Sequence, residues 1–190
     1  MNEDEIRPRE VTLDRQESIL LYPTDQYAGD LTGTTVTTDQ PVSVFGGHEC
    51  TGVPDLGTRY CDQLTEMIPP VSTLGRRFVT VPLATKRSGE RLRVLPAADG
   101  TELRIDGTIV ATANRGEFYQ ADFSSDAYRL IETSEPSLVV EYATSGYVDR
   151  VMDSDPFMAM VPPVEQFAPA YVVSQPDDRW DVPGNPFYGN

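Results

Sequence analysis

The sequence is short of most of the residues that perform chemistry. Its 190 residues include one histidine, His48, one lysine, Lys86, and two cysteines, Cys50 and Cys61. With a single imidazole, any Ser–His or Cys–His mechanism has to run through His48. No apolar run approaches the ~20 residues that cross a bilayer as a helix, so this chain carries no such span. A GxxxxGK phosphate loop is absent, and GDLTGT (29–34) is not the Asp-Thr/Ser-Gly signature of an aspartic protease and has no second copy. Bases are scarce beside acids: 15 Lys and Arg against 30 Asp and Glu give a formal net charge of -15. Nucleic-acid backbones and anionic membranes are repelled by such a surface, which excludes both as partners. The start, MNEDEIRPRE, lacks the basic and apolar regions of a signal peptide, so a protein working outside the cell is expected here as an expressed fragment or a mature form.

What is present describes a β-rich globular chain. Hydrophobic residues make up 39%, enough to drive folding, while 16 prolines and 14 glycines divide the chain into short segments. Period-two alternation marks strands at VTLD (11–14) and SILLY (18–22) around a turn at Arg15-Gln16-Glu17, then at TTVTT (34–38), PVSVFG (41–46) and RFVTVPL (77–83). Asp99-Gly100 and Asp106-Gly107 are hairpin signals, because both residue types tolerate the positive φ of tight turns. Further strands are expected at EFYQADF (117–123), AYRLIE (127–132), SLVVEYA (137–143) and FMAMV (157–161). Only CDQLTEMI (61–68) has helical spacing, in Leu64, Met67 and Ile68, ended by Pro69-Pro70. The reading is therefore all-β: an antiparallel β-sandwich or two packed sheets of short strands, with one short helix near 61–68. Residues 1–174 form one domain. The Pro-rich, acidic stretch 175–190, with Trp180 and Phe187, is an arm or linker.

GGHEC and RYCDQ (46–50, 59–63) admit three chemistries. His48 and Cys50 share one face of a strand, which allows contact but makes no recognised nucleophile elbow. His48, Cys50, Cys61 and Asp62 offer four zinc donors, yet only one short hook, His48-x-Cys50, where structural zinc sites take two. A disulfide closing the loop between Cys50 and Cys61 suits a Gly- and Pro-rich segment with little apolar content, and implies an oxidising compartment. It is the favoured reading, with two buried thiols as the plain alternative and His48 as a hydrogen-bonded structural residue. Asp149, Asp153 and Asp155 are a calcium candidate by oxygen count, although their spacing is not that of an EF-hand.

Three segments in order, DLTGTTVTTDQPVSVFGGHEC (30–50), CDQLTEMIPPVSTLGRRFVTVPL (61–83) and DPFMAMVPPVEQF (155–167), resemble the IgGFc-binding protein N-terminal domain family. The most specific block runs through Gly47-His48, Cys50, Cys61-Asp62 and Pro69-Pro70-Val71-Ser72-Thr73. Leu74 stands where the family commonly has an aromatic, and Gln63-Leu64 where its pattern has a histidine. The resemblance implies a secreted or surface-anchored, non-enzymatic module within a longer multidomain protein. It also implies that Cys50–Cys61 ties the outgoing loop to the short helix, so that the block is mostly architecture. Antibody Fc binding does not carry over, since no contact residue maps onto this chain.

The functional expectation is an extracellular or cell-surface interaction module, with a role in adhesion or in matrix or surface assembly and a protein or glycan ligand. Tyr22, Tyr27 and Tyr60 are candidate contacts, because tyrosine is enriched at interfaces. The alternatives are a structural spacer with no ligand of its own and a metal-dependent hydrolase built on His48.

Overall fold

A computed structural model describes residues 10–23, 29–83, 86–126, 128–151 and 154–172. The largest element is β8 (Arg129–Ala143), a 15-residue strand that serves as the spine of a seven-stranded antiparallel sheet. Its first half is flanked on opposite edges by β5 (Thr101–Ile105) and β3 (Gly75–Thr80), both of which pair with Ile131. Its second half is flanked by β4 (Glu90–Pro96) and β9 (Met158–Val161), both of which pair with Val139. β6 (Thr108–Ala113) extends the β5 side and β7 (Tyr119–Phe123) the β4 side. Register with β3 jumps between Glu132 and Ser137, across Pro136, whose missing N–H is tolerated at such an irregularity. The sheet curls into a half-barrel.

Curling lets the two halves of one sheet act as two packed layers. Phe78, Leu103, Ile105 and Ile131 of one half meet Leu92, Val94, Val139 and Val161 of the other in a single buried cluster. β4 and β5 show the required alternation, with Leu92, Val94, Leu103 and Ile105 turned inward between half-buried neighbours. The β5–β6 hairpin turns at Asp106-Gly107, whose φ values of 50° and 80° fit the sequence signal.

A second, smaller sheet pairs β1 (Phe45–Thr51) with β2 (Asp62–Met67). The expected helix near 61–68 is therefore a strand. Leu64 is its single fully buried residue, packing with Val53, Val140 and Met158 on the back of the β8–β9 layer. Pairing with β1 and this one contact outweigh the helical spacing of Leu64, Met67 and Ile68. The expected strands at 11–14, 18–22 and 34–38 also carry no ladder, although the turn between the first two forms, with the Glu17 N–H donating to the Asp14 carbonyl at 3.1 Å. AYRLIE and SLVVEYA are one continuous strand, not two.

The motif DLTG now has a role. Asp30 accepts the Thr32 N–H at 2.9 Å and pairs with Arg93 at 2.9 Å, and Arg93 lies over the Phe118 ring at 4.6 Å. Gly33, at φ +94°, passes so close to Gly116 that a Cβ would lie 2.1 Å from its carbonyl oxygen. The motif pins the chain ahead of β1 to the outer face of the large sheet. Residues 175–190, Tyr27 and Asp153 lie outside the described residues.

Candidate interaction surface

Cys50 and Cys61 are joined as a disulfide, with Cα atoms 5.1 Å apart. Neither sulfur is therefore available as a nucleophile or a zinc ligand. His48 sits on β1 opposite Leu64, and its Nδ1 accepts the Cys50 N–H at 3.1 Å, which is a local structural bond.

The bridge closes a loop that is tied down at several further points. Val53 is buried; its N–H donates to Ser145 Oγ at 2.9 Å and its carbonyl accepts the Ser145 N–H at 2.9 Å. Thr58 N–H donates to the Asp55 carbonyl at 2.8 Å, and the Arg91 guanidinium donates to the Pro54 carbonyl while holding Asp122. Ser145 leads into α1 (Gly146–Asp149), the one α-helical turn among the described residues. Loop and turn together present Tyr60 against Tyr147, edge to face with ring centroids 6.1 Å apart, and the Arg59 guanidinium 5.8 Å from the Tyr147 centroid. Tyr60 is 45% exposed and Tyr147 53%. Pro54, Asp55, Gly57 and Thr58 line the open depression beside them.

Of the tyrosines singled out from the sequence, Tyr60 lies in this surface. Tyr22 is exposed on the chain ahead of β1. Sequence reasoning missed Tyr147 and Arg59; the available signal was Ser145-Gly146, small residues that let a turn pack against the cysteine loop.

Beneath α1 lies a buried ion pair. Lys86 Nζ donates to the carbonyls of Thr144 at 2.8 Å and Asp155 at 2.9 Å and to Ser154 Oγ, and stands 3.6 Å from Asp149. Asp149 also accepts the Ser88 N–H at 2.7 Å and the Thr144 hydroxyl at 3.0 Å. Burial lowers the lysine's pKa, with Asp149 and Asp155 pulling it back up. The ammonium thus already occupies an oxygen cage that includes the Asp149 carboxylate and the Asp155 carbonyl. Among the described residues no group of three or more His, Cys, Asp or Glu is placed to hold a metal.

A second buried polar group lines the concave side of the large sheet. Glu90 on β4 and Glu141 on β8 lie diagonally across the ladder, since Glu90 pairs with Ala143 and Glu141 with Leu92. Among the described residues neither Glu90 oxygen nor Glu141 Oε1 has a hydrogen-bond partner. Burial pushes Glu90 up to about 7, against the opposing pull of Arg129 and of the Leu83 N–H, which is close but not placed for a full hydrogen bond; burial and the Glu90 charge push Glu141 up to about 7.

The comparisons with known proteins fit this architecture. The family model described as IgGFc binding protein matches residues 3–182. The chain belongs to that family. A human relative, the IgGFc-binding protein, is 27% identical over 150 residues, covering 78% of this chain and 3% of its own length. The chain thus corresponds to a small part of that relative. No solved structure matches. The blocks that carry the resemblance are structural here: Thr73 caps the Pro69-Pro70 turn by donating to the Pro70 carbonyl at 2.9 Å, and Glu165 of PPVEQF accepts the Arg76 N–H at 3.1 Å.

Proposed function

We propose that this chain is an extracellular, non-enzymatic interaction module that holds a protein partner on the surface formed by Tyr60, Tyr147 and Arg59. The observation that carries the reading is an exposed aromatic pair with an arginine, Arg59 and Tyr60 on the cross-linked loop and Tyr147 on the turn that Ser145 bonds to it. Tyrosine and arginine dominate the energetics of protein interfaces, and rigid presentation lowers the entropy cost of binding. The disulfide supports an oxidising, extracellular setting, and the family membership supports binding as the role. Adhesion or surface assembly is the context in which such a module works.

Calcium is not part of this proposal. The Asp149 carboxylate is committed to Lys86, Ser88 and Thr144, so millimolar calcium should leave the melting temperature unchanged.

The test immobilises the chain and measures binding of an IgG Fc fragment, a panel of extracellular proteins and a glycan array. Saturable binding to a protein, weakened about tenfold or more by Tyr147→Ala with Arg59→Ala, is the expected result. Saturable binding to glycans alone, or protein binding untouched by the pair, overturns the assignment. The spacer reading rests on the structural use of the family's motif residues; it predicts no saturable binding to any probe.

A further inference from the structure

Among the described residues two apolar elements are left without partners, and each has the form the other needs. β6, TIVATA, is an outer strand of the large sheet, paired on one side with β5 and on the other with nothing among the described residues. It has no charge and no proline, and Ile109 is 50% exposed. The other edges of the large sheet are blunted. β3 carries Arg76 and Arg77 and bonds Glu165, β7 carries Asp122 held by Arg91, and β9 packs beside β2. A bulge at Val110 interrupts the β5 ladder but leaves the outer edge open.

The second element is the segment 18–22, SILLY. It has the composition of a strand but no ladder, and Ile19, Leu20, Leu21 and Tyr22 are all exposed, Leu20 by 81%. Four consecutive exposed apolar residues are a defect in a monomer unless something covers them. An open edge strand recruits just such an extended segment by β-addition.

We infer that residues 18–22 of one copy add as a strand to the β6 edge of a second copy. Charge favours this contact over others between copies: the chain carries a net charge of -15, so most copy-to-copy contacts set acid against acid, whereas neither 18–22 nor β6 contains an ionisable carboxylate or a base. Donor and acceptor are different parts of the molecule, so the contact is head-to-tail, and a joined pair still offers one free acceptor on the donating copy and one free donor on the accepting copy. The inference uses none of the residues of the Tyr60–Tyr147 surface and stands or falls apart from it.

The test is the mass in solution of the full 190-residue chain by light scattering across a concentration series. The wild type should grow beyond one chain as concentration rises. Leu20→Lys, which blocks the donor, and Ile109→Lys, which blocks the acceptor, should each be monomeric alone. Mixed at equal concentration they should form a two-chain species and nothing larger, because one intact donor meets one intact acceptor. A synthetic peptide of residues 17–23 should bind the Leu20→Lys chain, whose β6 is intact, and should not bind the Ile109→Lys chain. A wild type that stays monomeric throughout, a mixture that does not pair, or peptide binding unaffected by Ile109→Lys overturns the inference.

Discussion

The two sheets of this molecule are held in different ways. In the seven-stranded sheet, alternate residues of β4, β5 and β8 are buried, and the chain is fixed by apolar area drawn from both halves of the curl. In the two-stranded sheet, no residue of β1 is fully buried and β2 buries only Leu64. There the chain is fixed by the Cys50–Cys61 bond, the Val53–Ser145 pair and the Arg91 contact to Pro54. The difference explains where a partner surface is able to form. An element held by burial has to hide its large side chains, while one held by covalent and polar ties is free to expose Tyr60 and Tyr147.

The sharpest way to separate the two regimes is to damage the core. Phe78 is 1% exposed at the centre of the large cluster, and Phe78→Ala should cost about 3–5 kcal/mol, read as a lowered denaturation midpoint for the whole chain. Lys86→Met should cost about 3 kcal/mol or more, because it strands Asp149 as a buried, unpaired carboxylate. Adding Asp149→Asn should recover part of that loss. If Lys86→Met is harmless, the polar ties beneath α1 hold less than the comparison requires.

A pH series tests the polar intrusion into the large sheet. Glu90 and Glu141 are raised from 4.5 to about 7, so the folded state keeps protons that the unfolded chain has released. Stability should therefore fall as pH rises from 4.5 through about 7 and then level off, by several kcal/mol for the pair at about 1.4 kcal/mol for each unit by which a pKa is raised. Denaturation midpoints at pH 5 and pH 8 give the drop, which Glu90→Gln and Glu141→Gln should each reduce. Equal drops in all three proteins would mean that general acidic repulsion accounts for the slope. The smallest expected change in stability is for Tyr147→Ala, within about 0.5 kcal/mol as for other exposed substitutions; its effect belongs to binding.

The same division governs how much of the molecule was legible in its sequence. Strands buried in the core announced themselves, because RFVTVPL, EFYQADF, SLVVEYA and FMAMV are patterned by the burial that forms them. The Asp106-Gly107 hairpin followed from local backbone preference, and the cysteine pairing from the absence of any other thiol. The small sheet was not legible as strand: with one buried contact, Leu64, burial leaves almost no period in β2, and the incidental spacing of Leu64, Met67 and Ile68 pointed to a helix. AYRLIE and SLVVEYA fuse because β8 is gripped from both edges across Pro136, a long-range effect. Tyr147 was invisible as a site residue because only the tertiary contact between Ser145 and Val53 brings it beside Tyr60. The lone lysine was conspicuous in the sequence, but its burial depends on oxygens from Thr144, Ser154 and Asp155, more than fifty residues away.

Hydrogen exchange on the oxidised protein and on Cys50→Ser/Cys61→Ser compares the two regimes in one measurement. Amides of 52–60 and of β1 and β2 should lose protection by about two orders of magnitude, following the roughly 3 kcal/mol that closing a loop of this size contributes, while β4, β5 and β8 keep theirs. Unchanged protection at 52–60, or a loss spread evenly over both sheets, would contradict the account.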